Sequence, residues 1–222
     1  LLGLFANDAL APALQPERVN EPNLAEMTEK AIDVLSKDKD GFFLMAEGSQ
    51  IDWAGHANDA AWAMKEVEAF EKAVAKAVNF AKQDGHTLVI VVGDHETGGM
   101  SVGGYGKYYT NLDVLKGVSA TGEYMASKVE GDKSNLKSIV KQFANIELSD
   151  AEVAKILKAD KLVNGINQVI SERALVGWTT YVHTGIDLQL YAYGPQVDQF
   201  RGLLDNTDIP KRVAKVMGIP FK

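Results

Sequence analysis

Two short apolar runs constrain this chain more than anything else in it. Gly41-Phe42-Phe43-Leu44-Met45-Ala46 and Thr87-Leu88-Val89-Ile90-Val91-Val92 stand on either side of a long stretch with helical periodicity. A continuous apolar run of this length, bounded by turn residues, predicts a strand buried on both faces. Between the runs, Met64, Val67, Phe70, Val74, Ala77 and Ala81 recur at the spacing of one helix face. Glu66, Glu68, Glu71, Lys72, Lys76 and Lys82 keep the opposite face wet. The pattern predicts one long helix that starts at Asp52 or His56, runs to Gln83 and is stopped by Asp84-Gly85. Strand, helix and strand make a βαβ unit, so the expected fold class is α/β, a mostly parallel sheet flanked by helices. Ligands of such sheets gather beyond the carboxyl ends of the strands. Glu47 and Asp94-His95 fall there.

The flanking segments follow simpler rules. Residues 1–22, with Pro12, Pro16 and Pro22, read as an irregular approach. Asn23 followed by Glu26 three residues on predicts a capping box, opening a helix that runs to Leu35. The charged turn Lys37-Asp38-Lys39-Asp40-Gly41 comes next. From residue 104 the pattern changes to short amphipathic helices at 111–116, 124–130, 136–143, 150–157 and 161–173, with Ser149 and Glu152 as a second capping box. We read 104–178 as a mainly helical insertion into an α/β core made of 1–103 and 179–222. That core resumes with an extended run at 181–183 and an alternating strand at 186–193, and a helix over 208–217 follows.

Composition excludes several roles. The 222 residues are 46% hydrophobic with a formal charge of -7, and no dense Lys/Arg block stands out. A nucleic-acid partner or an anionic membrane surface is therefore not expected. An acidic protein attracts anionic substrates only if local cations capture them. There is no cysteine, so a transition metal must use His, Asp and Glu. No apolar run reaches the 18 residues of a membrane span. The chain opens Leu1-Leu2-Gly3-Leu4-Phe5, without Met or a basic leader, which reads as a start inside a longer protein rather than a signal peptide.

Of the four histidines, three lie beside carboxylates or small residues at expected strand ends. Asp52 and His56 are four apart, on one face of a helix. Glu47 precedes them on the strand end that feeds that helix. Asp94-His95 follows the second strand, and His183-Thr184-Gly185 follows a third extended run. Carboxylate plus imidazole is what Zn²⁺ accepts without thiolates, whereas an all-oxygen site built on Glu47 suits Mg²⁺ better. Taken singly, each has an ordinary reading. An Asp-x-x-x-His pair is usually an exposed hydrogen-bonded pair. Glu47 can be a solvated strand-end carboxylate, and Asp94-His95 can cap a turn with Glu96 and Thr97. His183 can be a core histidine. His86, in the turn Gln83-Asp84-Gly85-His86, is read as non-functional. Their shared position at the carboxyl ends of one expected sheet lifts the others above these readings. Gly98-Gly99 and Gly103-Gly104-Tyr105-Gly106 match no phosphate-loop spacing and read as loop glycines that permit close backbone approach.

At these residues the sequence resembles the alkaline phosphatase family. Glu47-Gly48-Ser49-Gln50-Ile51-Asp52-Trp53-Ala54-Gly55-His56 resembles its first metal block. Gly93-Asp94-His95-Glu96-Thr97-Gly98-Gly99-Met100 resembles its second, and His183-Thr184-Gly185-Ile186-Asp187 with Tyr191-Ala192-Tyr193-Gly194-Pro195 its third. The resemblance implies that Asp52, His56 and His183 bind one zinc, Asp94 and His95 a second, and Glu47 a magnesium. It implies phosphomonoester hydrolysis through a phosphoserine intermediate, a homodimer, and a periplasmic or secreted location. Trp53, where some members carry Lys or His, would border the substrate.

The departures matter as much. No Asp-Ser-Ala-type nucleophile segment is present, nor the aspartate that bridges the second zinc and magnesium, nor the other magnesium partners. The arginines are Arg18, Arg173, Arg201 and Arg212, none in a phosphate-binding motif. The chain thus resembles the C-terminal portion of such an enzyme, an incomplete fold whose partner is its own N-terminal half. Alone it is expected to show little turnover and weakened metal binding. The competing readings are a related metal-dependent phosphodiesterase or phosphomutase, and a non-catalytic metal-binding or interaction domain that uses 104–178 as a contact surface.

Overall fold

A computed structural model describes residues 2–15 and 20–221 of the chain; Pro16 and Arg18 lie outside the described residues. The elements run α1 (Leu24–Leu35), α2 (Gln50–His56), α3 (Ala60–Asp84), β1 (Val89–Val91), β2 (Glu96–Thr97), β3 (Ser101–Val102), α4 (Asp113–Lys116), α5 (Gly122–Lys128), α6 (Leu136–Ala144), α7 (Asp150–Lys158), α8 (Leu162–Ala174), β4 (Val176–Gly177), β5 (His183–Thr184), β6 (Tyr191–Tyr193), a 3-10 turn (Val197–Phe200) and α9 (Asp208–Val216).

Local signals place the helices well. Asn23 accepts from the Glu26 amide and Glu26 accepts from the Asn23 amide, the reciprocal capping expected for α1. Ser149 and Glu152 do the same for α7. Gly85 ends α3 in the left-handed region, at φ 74°.

The expected single helix after Asp52 is two. It breaks at Ala57-Asn58-Asp59 because Asn58 takes a left-handed φ of 49° and Asp59 is extended. Asp59 then caps α3, its carboxylate accepting from the Trp62 amide at 3.0 Å. The stripe that begins at Met64 lies wholly beyond this break, so periodicity carries no sign of it. Asp59 is buried. Burial pushes its carboxyl up, and the amides of Gly122, Trp62 and Ala61 oppose that shift.

The sheet also departs from expectation. Among the described residues the strands form three two-stranded antiparallel pairs rather than a mostly parallel sheet. In β1–β6, Val89 faces Tyr193, Ile90 faces Ala192 and Val91 faces Tyr191. In β2–β5, Glu96 faces Thr184 and Thr97 faces His183. In β3–β4, Ser101 faces Gly177 and Val102 faces Val176. The run 42–46 is not a strand. Phe42 packs on Phe80 of α3 with ring centroids 6.1 Å apart, but Phe43 is 62% exposed and Met45 76%. One side of the run rests on a helix, and no strand among the described residues pairs with it. A strand is defined by its partner, which an apolar run alone does not supply.

The hydrophobic core lies where α2 and the start of α3 meet the helices α4 to α8. Ala54, Ala61 and Trp62 pack with Leu115, Met125, Leu136, Val140, Ile156, Ile166 and Val169 in one buried cluster. It therefore joins residues from 104–178 to residues of the first segment.

Candidate metal centre

α2 is short, and its purpose is legible in two residues. Asp52 and His56 share one face, and the His56 Nε2 lies 3.4 Å from Asp52 Oδ1. The helix packs closely on β2 because Gly55 has no side chain. A Cβ there would stand 2.8 Å from the Thr97 carbonyl oxygen and 2.9 Å from the Thr97 Cβ. Directly after β2 the chain turns at Gly98, whose φ of +90° excludes most residues and whose Cβ would strike the Trp178 ring at 2.7 Å.

The β2–β5 pair brings in the remaining candidate ligands. Its register sets Thr97 against His183. Glu96 ties the ribbon, accepting from the Gly99 amide at 2.9 Å and from the Thr184 hydroxyl. His95 then stacks on His183, with centroids 3.5 Å apart and planes 18° from parallel.

His56 Nε2 and His183 Nε2 are 3.1 Å apart, and His183 Nε2 is 3.5 Å from Asp52 Oδ1. With the 3.4 Å separation above, these are three edges of one triangle. A tetrahedral zinc with bonds of about 2.0–2.1 Å holds its ligand atoms roughly 3.3 Å apart. The triangle fits that geometry and leaves the fourth vertex free, as catalytic zinc sites do. The His56 Nδ1 donates to the Tyr181 carbonyl at 2.7 Å, so its Nε2 carries the lone pair that faces the triangle. Thr97 donates its hydroxyl to Asp52 Oδ1 and lies 3.3 Å from His95 Nδ1. Two imidazole nitrogens and a carboxylate oxygen crowded together repel one another unless a proton or cation sits among them. The donor set suits a divalent ion of the zinc type.

Among the described residues, Asp52, His56 and His183 are the group whose ligand atoms all lie within 4.8 Å of one another. Asp94 and His95 adjoin it, with His95 Nε2 3.3 Å from Asp94 Oδ2 and His95 Nδ1 4.0 Å from Asp52 Oδ1. The Asp94 side chain is open to solvent. Glu47 is exposed on the segment before α2, outside the triangle. Trp53 is 42% exposed beside Asp52. His86 lies in the turn after α3, its amide donating to Asp84. Arg173 is engaged with Glu152, Arg201 with Asp198, and Arg212 with the Gln199 carbonyl. The supporting roles of Thr97, Thr184 and the Tyr181 carbonyl are not expected from the sequence, in which Thr97 reads only as a possible turn cap. Thr97 and Thr184 lay within the quoted blocks, and a main-chain carbonyl leaves no mark in a sequence.

Fold and site together define a protein of helices and short strands that gathers Asp52, His56 and His183 into a group able to hold a metal ion. The sequence matches the alkaline phosphatase family over residues 1–219, and the chain belongs to that family. It is 42% identical over 231 residues to Alkaline phosphatase 3 of Bacillus subtilis (strain 168), covering 100% of this chain and 50% of that protein. The cold-active alkaline phosphatase of a psychrophilic Shewanella superposes with a TM-score of 0.88 at 35% identity, over 97% of this chain and 55% of that one. A variant of the TAB5 alkaline phosphatase, solved with Mg bound in its M3 site, gives 0.56 at 31% identity, over 89% of this chain and 42% of that one. These neighbours share the α/β class. The chain spans about half the length of the curated relatives it matches. No helix among the described residues is long and apolar enough to cross a membrane.

Proposed function

We propose that this chain is the C-terminal portion of an alkaline-phosphatase-type phosphomonoester hydrolase and that it supplies most of the metal ligands of the whole enzyme. The observation that carries this reading is the triangle of Asp52, His56 and His183, with edges of 3.1 to 3.5 Å. In this reading those three residues hold a first zinc, Asp94 and His95 a second, and Glu47 a magnesium. When bound, the ions would lower the pKa of an attacking hydroxyl and offset the charge that builds on the phosphoryl and leaving oxygens.

The chain's own residues then have distinct tasks. Asp52 supplies negative charge and is steadied by the Thr97 hydroxyl. His56 presents Nε2 because Tyr181 holds its other nitrogen. His183 closes the triangle from the far strand, and the stacked His95 keeps its ring from turning. Trp53 borders the substrate from the exposed side of α2. The nucleophilic serine comes from the N-terminal half. We assign the exposed side of the 42–46 run, with Phe43 and Met45, to contact with that half. The whole enzyme would work as a homodimer in a periplasmic or secreted setting, on small phosphomonoesters.

Hydrolysis of p-nitrophenyl phosphate by the full polypeptide, with and without zinc and magnesium, tests the proposal. Metal-dependent turnover is the expected result, and its absence would overturn the enzyme reading. The 222-residue chain alone should turn over little or nothing, with its length confirmed by intact mass.

A further inference from the structure

We infer that the break between α2 and α3, clamped by Asn167 from α8, is a positioning device for the metal ligand His56. This inference rests on the metal-centre reading above and assigns it two residues outside the ligand set, Asn58 and Asn167. Each of the three residues after His56 is tied to a different part of the molecule. The Ala57 carbonyl accepts from Asn167 Nδ2 at 2.9 Å. One end of the Asn58 side-chain amide lies 2.9 Å from both the Gly55 and the Thr180 carbonyl oxygens; two acceptors there require the NH2 group, which donates to both. The Asp59 carboxylate accepts from the Trp62 amide at 3.0 Å and the Gly122 amide at 2.8 Å.

The Asn58 contact with Thr180 matters most. Thr180 precedes Tyr181, whose carbonyl holds the His56 ring, and His183 is two residues further on. One amide therefore sets the gap between the end of α2 and the strand that carries the third ligand. Asn58 also adopts the left-handed backbone that ends α2 at His56, a conformation Asn tolerates better than most residues.

Asn167 is harder to explain as a core residue. It is 2% exposed, on an α8 face it shares with the buried Ile170, Ser171 and Ala174. Its Oδ1 has no hydrogen-bond partner among the described residues and would lie 1.8 Å from a Cβ placed on Gly122. A half-satisfied buried amide stabilises a fold less than an apolar side chain of its size. What it does accomplish is to grip the Ala57 carbonyl directly behind His56. Partners that orient a ligand are the residues that tune metal affinity.

The test uses the full polypeptide carrying this chain, stripped of metal, with zinc affinity measured by chelator competition and geometry read from the visible absorption of bound cobalt. Asn58→Gly keeps the left-handed backbone and removes the amide. Asn167→Leu keeps the volume and removes the donor. Val140→Ala, in α6, opens the same core without touching the break. The two asparagine variants should lose zinc affinity by roughly 10–100-fold, as supporting partners of ligands do, and shift the cobalt spectrum. Val140→Ala should lower the melting temperature and leave affinity and spectrum alone. Wild-type affinity and spectrum in Asn58→Gly would overturn the inference, and that variant decides the matter if Asn167→Leu fails to fold. Absence of zinc and cobalt binding by the unaltered protein would instead overturn the metal-centre reading, and this inference with it.

Discussion

The helices α4 to α8 and the segments that carry the proposed metal ligands are built on opposite terms. In the helical part, Met125, Leu136, Ile156 and Ile166 are almost wholly buried, and each of the helices α4 to α8 contributes at least one buried residue to the core cluster. Around the ligands, pairing is limited to strands of two or three residues, and Phe43, Met45, Val182 and Ile186 are 59 to 76% exposed. The buried core is concentrated in one region and the proposed metal ligands in the other. The second region keeps two imidazole nitrogens and a carboxylate oxygen crowded together, an arrangement that a proton or a cation relieves. Substitutions in the two regions should therefore separate binding from folding.

The largest effect belongs to the ligands. His56→Ala takes away one of three donors, so zinc affinity of the full polypeptide should fall by more than the roughly 10–100-fold expected for a supporting partner. Isothermal titration checks this, and a melting temperature measured without metal should barely move. Leu136→Ala should do the reverse. It empties a fully buried site at a cost of about 2–5 kcal/mol in chemical denaturation, with zinc affinity retained in the folded protein. A loss of affinity as large as that of His56→Ala would erase the distinction between the regions. Thr97→Val comes next. It removes the hydroxyl that steadies Asp52 and should weaken zinc by roughly 10-fold or somewhat more, leaving stability near wild type.

The smallest effect is a pH dependence within the helical region. The Arg173 guanidinium, bonded to Glu152 at 2.7 and 2.8 Å, is the main reason that carboxyl is held down to about 2, and the Ser149 cap assists it. The folded value lies below the ordinary 4.5, so the stabilisation is complete above 4.5 and is lost as pH falls through about 2. Glu152→Gln should cost about 1–2 kcal/mol near neutrality, and the deficit should vanish as pH drops below that window. A deficit independent of pH would remove the ion pair from the account.

Much of this was legible because it is local. Capping needs only residues three apart, so Asn23/Glu26 and Ser149/Glu152 announced their helices. The candidate ligand segments stand out by residue type and order, and the fold brings ligand atoms of Asp52, His56 and His183 among them within 4.8 Å of one another. What sequence could not show depends on distant partners. The run 42–46 has the composition of a buried strand, yet no neighbour among the described residues covers Phe43 or Met45. Among the described residues, the strand expected over 186–193 is paired only at Tyr191–Tyr193, running antiparallel to β1. The break at Asn58 escaped notice because the apolar stripe begins after it. Thr97 drew attention as a possible turn cap, whereas the β2–β5 register turns its hydroxyl toward Asp52.

The central claim is that Asp52, His56 and His183 form a zinc site. Anomalous diffraction at the zinc edge, from crystals of the full polypeptide grown with zinc, tests it most directly. The account predicts a peak about 2.0–2.1 Å from His56 Nε2, His183 Nε2 and an Asp52 oxygen. A fully occupied zinc elsewhere, with these three side chains left bonded only to one another, would contradict it.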